Sequence, residues 1–494
     1  MPTVGPTRSS DRARPIRHVD PRPISSSSSS SSSSQEPSHG SGGDLQSQRY
    51  WNRKVGRPLL HLLESNGYTS QQVERFRTFF TSVVSPSLGE RQDRRVRGRG
   101  GSRWSSLMCD DGIPVEIGLA WKSKGGGGRG PAVQRGQVRF SIEAIDDQEV
   151  RSRSTNLKAT RSLLSRLERQ GHLASSGRRL FESVDEAVPL DLQVSRTRHM
   201  VGFDILRPTH GLDPIVNVKA YFVLPGLCSS PSHPTLKSQE EENPEAQLER
   251  ILEAISHTVP SPGMSQLKEY LSSLPRNRRG RPVILSVDLD GPETGGGGGG
   301  GRAPSVSKTR VKVYWRFPDT DPTMIRSHMS LGGLWGEDVG KTAEKAWSTL
   351  MRGGETNVTK VDPYTSTGGS LFYFDLGRSF DGREGYPAPS KAYIPVRHLL
   401  PRSEAEDVQG GAGEEEEEEE GGQEMLCKRF VDLLHQSGRS SLVRSYLDSL
   451  LLSPPGGGRV GSPLSLTTSH TYICTEGSSN SPDFCVYLKP RLVP

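Results

Sequence analysis

Three segments of this chain carry the same step, lysine–any–tyrosine, inside runs that alternate. They are Lys219–Tyr221 in NVKAYFVL, Lys312–Tyr314 in RVKVYWRF and Lys391–Tyr393 in SKAYIPV. A period of two puts Lys219 and Tyr221 on one side of a strand and Val218, Ala220 and Phe222 on the other. One such strand is an ordinary half-buried strand. Three, each closing a similar stretch of chain, imply one shared interior lined with cations and phenols. Such an interior suits an anionic leaving group beside a developing carbocation.

The stretches between these strands repeat a unit of two helices and two strands. Helices are expected over 58–65 and 71–84, followed by strands over 113–121 and 136–145. The second round places helices at 156–169 and 178–187 and strands at 197–206 and 215–224. The third has helices at 245–258 and 263–274 and strands at 282–289 and 308–316. The fourth has helices at 322–330 and 339–352 and strands at 369–376 and 390–396. The fifth has helices at 424–436 and 439–452 and strands at 467–475 and 483–489. Each round spans roughly 80–100 residues, too long for a solenoid repeat. Ten antiparallel strands can close into a barrel, which removes every exposed edge. The expected fold class is therefore α+β: a ten-stranded antiparallel β-barrel surrounded by a ring of α-helices, built from five ααββ repeats. A barrel of this size keeps an interior cavity, so alternate side chains face either the cavity or the helices.

Hydrophobic content is low at 32%, but the dilution is local: Ser25–Ser34, Gly295–Gly301 and Glu414–Glu420 are single-residue runs. Residues 1–44, rich in Ser, Pro, Gly and Arg, cannot bury enough apolar surface to offset chain entropy and are expected to be disordered. Residues 45–494 are expected to form one domain, with low-complexity insertions near 295–301 and 409–422, the latter exposed and mobile. The formal charge of +6 becomes about +13 without the glutamate run, so the body is basic. A solvated surface or an anion site accounts for that. Nucleic-acid binding is less favoured, because no zinc-ligand spacing or RNA-binding aromatic motif is present. Five cysteines without a C-x-x-C point to reduced thiols and a cytoplasmic setting. The N-terminus shows no apolar signal region and no run is long enough to span a membrane.

On the barrel reading the cavity receives Glu116, Arg139, Lys219, Tyr221, Arg310, Lys312, Tyr314, Lys391, Tyr393, Tyr472 and Tyr487. Clustered Arg and Lys in a low-dielectric cavity are costly unless an anion pairs with them, and a diphosphate fits both guanidinium forks and ammonium point charges. Tyrosine faces attract a cation through the ring quadrupole and would shield an allylic cation from water. Glu116 would accept a hydrogen bond from an N–H or O–H of an aromatic acceptor.

At these residues the chain resembles the fungal dimethylallyltryptophan synthase-type aromatic prenyltransferases. The resemblance runs from about residue 47 to the C-terminus, on IPVEIGLAW, GQVRF, VGFDI with NVKAYFVLPG, ILSVDL with TRVKVY, SLGGLWG, LFYFDL with PSKAYIPVRHL, and SHTYI with FCVYLKP. It implies a ten-stranded barrel and an enzyme of secondary, alkaloid metabolism. Such an enzyme moves a dimethylallyl group from its diphosphate to an aromatic acceptor, indole- or tryptophan-derived, without a catalytic metal or other cofactor. Its partners would be these small molecules, not nucleic acid or a membrane, with a homodimer allowed.

Residue by residue, the resemblance makes Glu116 the acid that anchors an indole N–H. It makes Arg139, Lys219, Arg310 and Lys312 diphosphate ligands. Tyr221, Tyr314 and Tyr393 become a tyrosine shield, with Tyr472 and Tyr487 as further members. Lys391 stands where many relatives have Gln, and it adds charge. The lysine that tryptophan-modifying relatives use as a base on the third strand is missing from GFDILRPTHG. Arg207 is always protonated, so His210 is the expected base if its loop folds inward.

Asp110–Asp111 and Asp146–Asp147 with Glu149 are the nearest approach to the D-D-x-x-D boxes of magnesium-dependent prenyl transfer, but they read as surface turns at strand ends. No phosphate loop and no H-E-x-x-H is present, so no metal ligand is assigned. The missing lysine motivates one alternative, a non-catalytic protein that binds a prenyl diphosphate or aromatic ligand in the same barrel. The basic body motivates the other, a nucleic-acid binder.

Overall fold

The computed structural model describes residues 42–90, 104, 106–108, 113–122, 135–152, 154–188, 197–207, 215–224, 244–256, 261, 263–289, 310–351, 369–377, 390–396, 414–450, 468–476 and 482–490. The strands are β1 Val115–Trp121, β2 Gln137–Ile142, β3 His199–Ile205, β4 Val216–Val223, β5 Arg281–Leu289, β6 Val311–Phe317, β7 Ser370–Asp375, β8 Ser390–Ile394, β9 Thr468–Glu476 and β10 Asp483–Pro490. They form one closed barrel in which each strand pairs with its neighbours in sequence and β10 closes onto β1. Every pairing is antiparallel. The expected fold is thus the observed one, and each strand lies within a few residues of its expected place.

The helices are α1 Gly42–Trp51, α2 Arg57–Ser65, α3 Ser70–Phe79, α4 Asp147–Ser152, α5 Leu157–Arg169, α6 Ser175–Ala187, α7 Pro244–Ile255, α8 Met264–Ser273, α9 Pro322–Ser330, α10 Glu337–Leu350, α11 Glu414–Gln436 and α12 Ser441–Leu450. They cover the outer face of the barrel. On β6 the outward set is Val311, Val313, Trp315 and Phe317, all 0% exposed. Each such side chain contributes roughly 1.5–3 kcal/mol by leaving water. Local chemistry starts the helices where the periodicity does. Thr69 caps α3: its hydroxyl accepts from the Gln72 N–H while the Gln72 side chain accepts from the Thr69 N–H.

Two acidic segments differ from the sequence reading. The glutamate run, expected as a mobile insertion, forms the first turns of α11. Glutamate is a good helix former and its charge is favourable at a helix N-terminus. Asp146–Asp147 with Glu149, expected as a surface turn, leads into α4, and Glu149 is 5% exposed. Its carboxylate accepts from the backbone N–H of Lys158 at 2.7 Å and of Ala159, at the start of α5. It is an anion on a helix N-terminus rather than a metal ligand. Asp110–Asp111, His210, the tail before residue 42 and the glycine run at 295–301 lie outside the described residues.

Candidate active site

The inward faces of the strands enclose two adjoining cavities. The first is lined by Arg139 of β2, Lys219 of β4, Arg310 and Lys312 at the start of β6, and Lys391 of β8, together with Lys122, Asp204, Tyr373 and Glu476. The second is lined by Glu116 of β1, Leu107, Met108, Met200, Ile284, Leu371, Arg316 and Tyr472. Ser141, Tyr221, Tyr314, Tyr393 and Tyr487 line both. A layer of tyrosines therefore separates a chamber rich in cations from one that is largely apolar and carries a carboxylate.

Tyr314 sits at the centre of that layer. Its ring centroid is 6.0 Å from Tyr221, 5.7 Å from Tyr373 and 5.7 Å from Tyr393. Tyr393 in turn lies 6.0 Å from Tyr472 and 5.6 Å from Tyr487. The arrangement follows from register: Tyr314 is directly opposite Tyr373, and Tyr373 directly opposite Lys391. The ammonium groups of Lys391 and Lys312 stand 5.5 and 5.9 Å from the Tyr373 ring centroid, within cation–π reach. Burial raises the Tyr314 phenol to about 12. It also pushes Tyr221, Tyr373 and Tyr393 well above the ordinary value. The layer is thus neutral at physiological pH and presents π faces and hydroxyls, not phenolates. Gly202 of β3 makes room for it, because a Cβ there would come within 2.7 Å of the Tyr221 ring.

The cations are not bare. Asp204 takes Arg139 Nε at 3.2 Å and Lys219 Nζ at 2.5 Å. Asp288 takes Arg310 Nε at 2.8 Å and Lys312 Nζ at 2.9 Å. Glu476 lies 3.6 Å from Lys391 Nζ. Burial opposes ionisation of Asp204, but Arg139 and then Lys219 hold its carboxyl far below the usual range. Lys312 and Lys219 do the same for Asp288 against its own burial. For Lys312, burial outweighs the attraction of Asp288 and brings the ammonium down to about 8.

In the second chamber Glu116 Oε1 accepts from Thr471 Oγ1 at 2.9 Å. Arg316 stands five strands away from Glu116 around the barrel, on the opposite wall. Leu107 and Met108 belong to no strand or helix. They are held over the chamber by Glu143, a fully buried carboxylate at the end of β2. Glu143 accepts from Trp104 Nε1 at 2.6 Å, Ser106 Oγ at 3.0 Å, Leu107 N at 2.8 Å, Met108 N at 3.2 Å and Thr197 Oγ1 at 3.0 Å. So many donors stabilise a buried charge that would otherwise be expensive.

The structure brings together every candidate residue named from sequence except His210, which lies outside the described residues. The sequence reading passed over Lys122, Tyr373, Arg316 and the acids Asp204, Asp288, Asp375 and Glu476. Among the described residues no group of three or more His, Cys, Asp or Glu could hold a metal ion. No described helix is long and apolar enough to cross a membrane.

Residues 47–411 match the family model for tryptophan dimethylallyltransferase. Among named proteins, the chain is 26% identical to the 4-O-dimethylallyl-L-tyrosine synthase of Claviceps purpurea over 71% of this chain and 72% of that one. It is 22% identical to the prenyltransferase anuH of Penicillium roqueforti over 84% of this chain and 82% of that one. Among solved structures, the fold is similar to AnaPT from Neosartorya fischeri, with a TM-score of 0.59 and 17% identity over 90% of this chain and 94% of that one. It is also similar to NotF in complex with brevianamide F and DMSPP, with a TM-score of 0.60 and 16% identity over 92% of this chain and 97% of that one.

Proposed function

Since the chain belongs to the tryptophan dimethylallyltransferase family, we propose that it transfers a dimethylallyl group from its diphosphate to an aromatic acceptor bearing a ring N–H or a phenolic O–H. An indole or tryptophan-derived acceptor is the first choice. A tyrosine-type phenol is the second, favoured by the name of the Claviceps relative. The observation that carries this reading is the tyrosine layer between a cation-lined chamber and a carboxylate-bearing apolar one.

In this reading Arg139, Lys219, Arg310, Lys312 and Lys391 hold the diphosphate and stabilise the charge that grows on it as the allylic C–O bond breaks. The allyl cation forms against Tyr221, Tyr314, Tyr373, Tyr393, Tyr472 and Tyr487, whose faces attract it and exclude water. Glu116 accepts the acceptor's N–H or O–H and draws electron density into the ring. Attack on the allyl cation is electrophilic substitution, achieved by positioning and fixed charge. For attack through a heteroatom, Glu116 takes the departing proton. For attack through a ring carbon, His210 is the base we assign.

Incubation with dimethylallyl diphosphate and a panel of indoles, tyrosine-type phenols and cyclic dipeptides in excess EDTA is expected to yield monoprenylated product, identified by mass spectrometry and NMR. Activity abolished by chelation and restored by magnesium would remove the side-chain mechanism. Diphosphate binding without product across the panel would instead favour a binding protein.

The pH dependence follows from Lys312. Below about 8 it is an ammonium, and it loses its proton as the pH rises through that value. Diphosphate favours the charged form, so the donor KM should be flat up to about pH 7 and climb above pH 8. Lys312→Arg, which stays charged throughout, should flatten the climb. A donor KM that falls between pH 8 and 9 in the native chain would contradict the assignment.

A further inference from the structure

From β2 to β9 the barrel interior alternates in charge. Arg139 is directly opposite Asp204, Lys219 opposite Asp288, Lys312 opposite Asp375, and Lys391 opposite Glu476. Directly opposed residues share a face of the sheet. The even strands therefore bring the cations and the following odd strands bring the acids to one face of the sheet: Asp204 and Glu476 line the cationic chamber, and Asp288 and Asp375 stand beside Arg310 and Lys312, which line it. The ion pairs knit these into groups: Asp204 joins Arg139 to Lys219, Asp288 joins Arg310 to Lys312, Asp375 stands 4.0 Å from Arg310, and Glu476 faces Lys391. Asp204 and Asp375 are 9% and 4% exposed, and Lys312 and Lys391 are 4% each.

A site for an anion that is lined by two carboxylates and backed by two more needs a reason. The acids offset the cost of keeping several cations out of water together. When a diphosphate enters, its oxygens compete for the same ammonium and guanidinium hydrogens. The carboxylates are fixed on their strands, so they stay beside the bound diphosphate and repel it. Binding is then an exchange of one set of anions for another.

We propose that Asp204, Asp288, Asp375 and Glu476 are positioning residues that act as internal counter-anions, and that exchange against them sets how loosely the donor is held and how fast inorganic diphosphate leaves. The proposal rests on the donor chamber's assignment above. It predicts the reverse of what a structural role would give: neutralising an acid should tighten the site.

Glu476→Gln in the full chain keeps the shape of the side chain and removes its charge. Calorimetry with inorganic diphosphate should show a dissociation constant about tenfold lower than in the native chain, the effect of removing one like charge at close range. Stopped-flow displacement should show slower release by a similar factor. With dimethylallyl diphosphate the donor KM should fall while kcat does not rise. Asp204→Asn, in a separate ion-pair group, should move all three in the same direction. Unchanged or weaker diphosphate binding in variants whose circular dichroism is native would overturn the proposal, and so would failure of both variants to fold, since either result assigns the acids to holding the strands. Both results leave the transferase reading standing. Absence of diphosphate binding by the native chain would instead remove the donor chamber itself, and the proposal with it.

Discussion

Lys312→Ala is expected to cut kcat/KM by about one to two decades for every acceptor alike. On the proposed assignment the lysine donates to the diphosphate as a charged group in a buried site, and a charge-assisted hydrogen bond is worth about 1.5–3 kcal/mol. The native lysine is 4% exposed and shares Asp288 with Arg310, so its removal orphans no carboxylate: Arg310 Nε remains 2.8 Å from Asp288. The fold should therefore persist, and the loss should appear in donor binding by calorimetry as well as in rate. On the same assignment Asp288, paired with Arg310 and Lys312, is left near the diphosphate with one cation fewer. Asp288→Asn in the Lys312→Ala background should consequently restore part of the donor affinity, a coupling that two unrelated sites would not show. Normal donor affinity in Lys312→Ala would exclude the lysine from the diphosphate site.

That coupling rests on a feature the sequence carries but does not announce. Strands β4, β6 and β8 declare themselves, because K-x-Y places two unusual side chains on one face and the step recurs. The odd strands carry a matching mark, an acid near one end of each: Asp204 in VGFDI, Asp288 in ILSVDL, Asp375 in LFYFDL and Glu476 in TYICTE. A single aspartate near a strand end is also what a turn looks like. Only the register puts Lys219 opposite Asp288 and Lys312 opposite Asp375. Arg316 was within reach, since it is the next inward position after Arg310, Lys312 and Tyr314 in TRVKVYWR. Tyr373 was too, by the same alternation in LFYFDL. Leu107 and Met108 were not, because no period places them. They reach the second chamber through hydrogen bonds to Glu143, a tertiary contact 35 residues or more along the chain. The barrel was legible for the opposite reason: its strands are defined by local alternation, and ten of them leave few ways to hide the edges.

Glu116→Gln should separate the second chamber from the first. Glu116 lines the apolar chamber and not the cationic one, so donor affinity should stay within twofold or so of native, the size of effect distant sites show. The glutamine keeps a carbonyl oxygen for Thr471 Oγ1, which donates to Glu116 Oε1 at 2.9 Å. Its other end becomes an NH2 group, a donor where the acceptor's own N–H or O–H also donates. The mutation therefore replaces a charge-assisted hydrogen bond with two donors facing each other at a half-buried position. A loss of about one to two decades in kcat/KM is expected on acceptors with a free ring N–H or phenolic O–H. On acceptors that are prenylated at a ring carbon and methylated at that N or O atom the native chain has no hydrogen bond to lose, so native and variant should differ little. The decisive comparison is the ratio of free to methylated rates in the two proteins, read beside donor binding by calorimetry. A ratio near one in the variant and well above one in the native chain assigns Glu116 to the acceptor. Loss of donor affinity equal to that of Lys312→Ala would place Glu116 with the cationic chamber instead, and the tyrosine layer would no longer divide donor from acceptor.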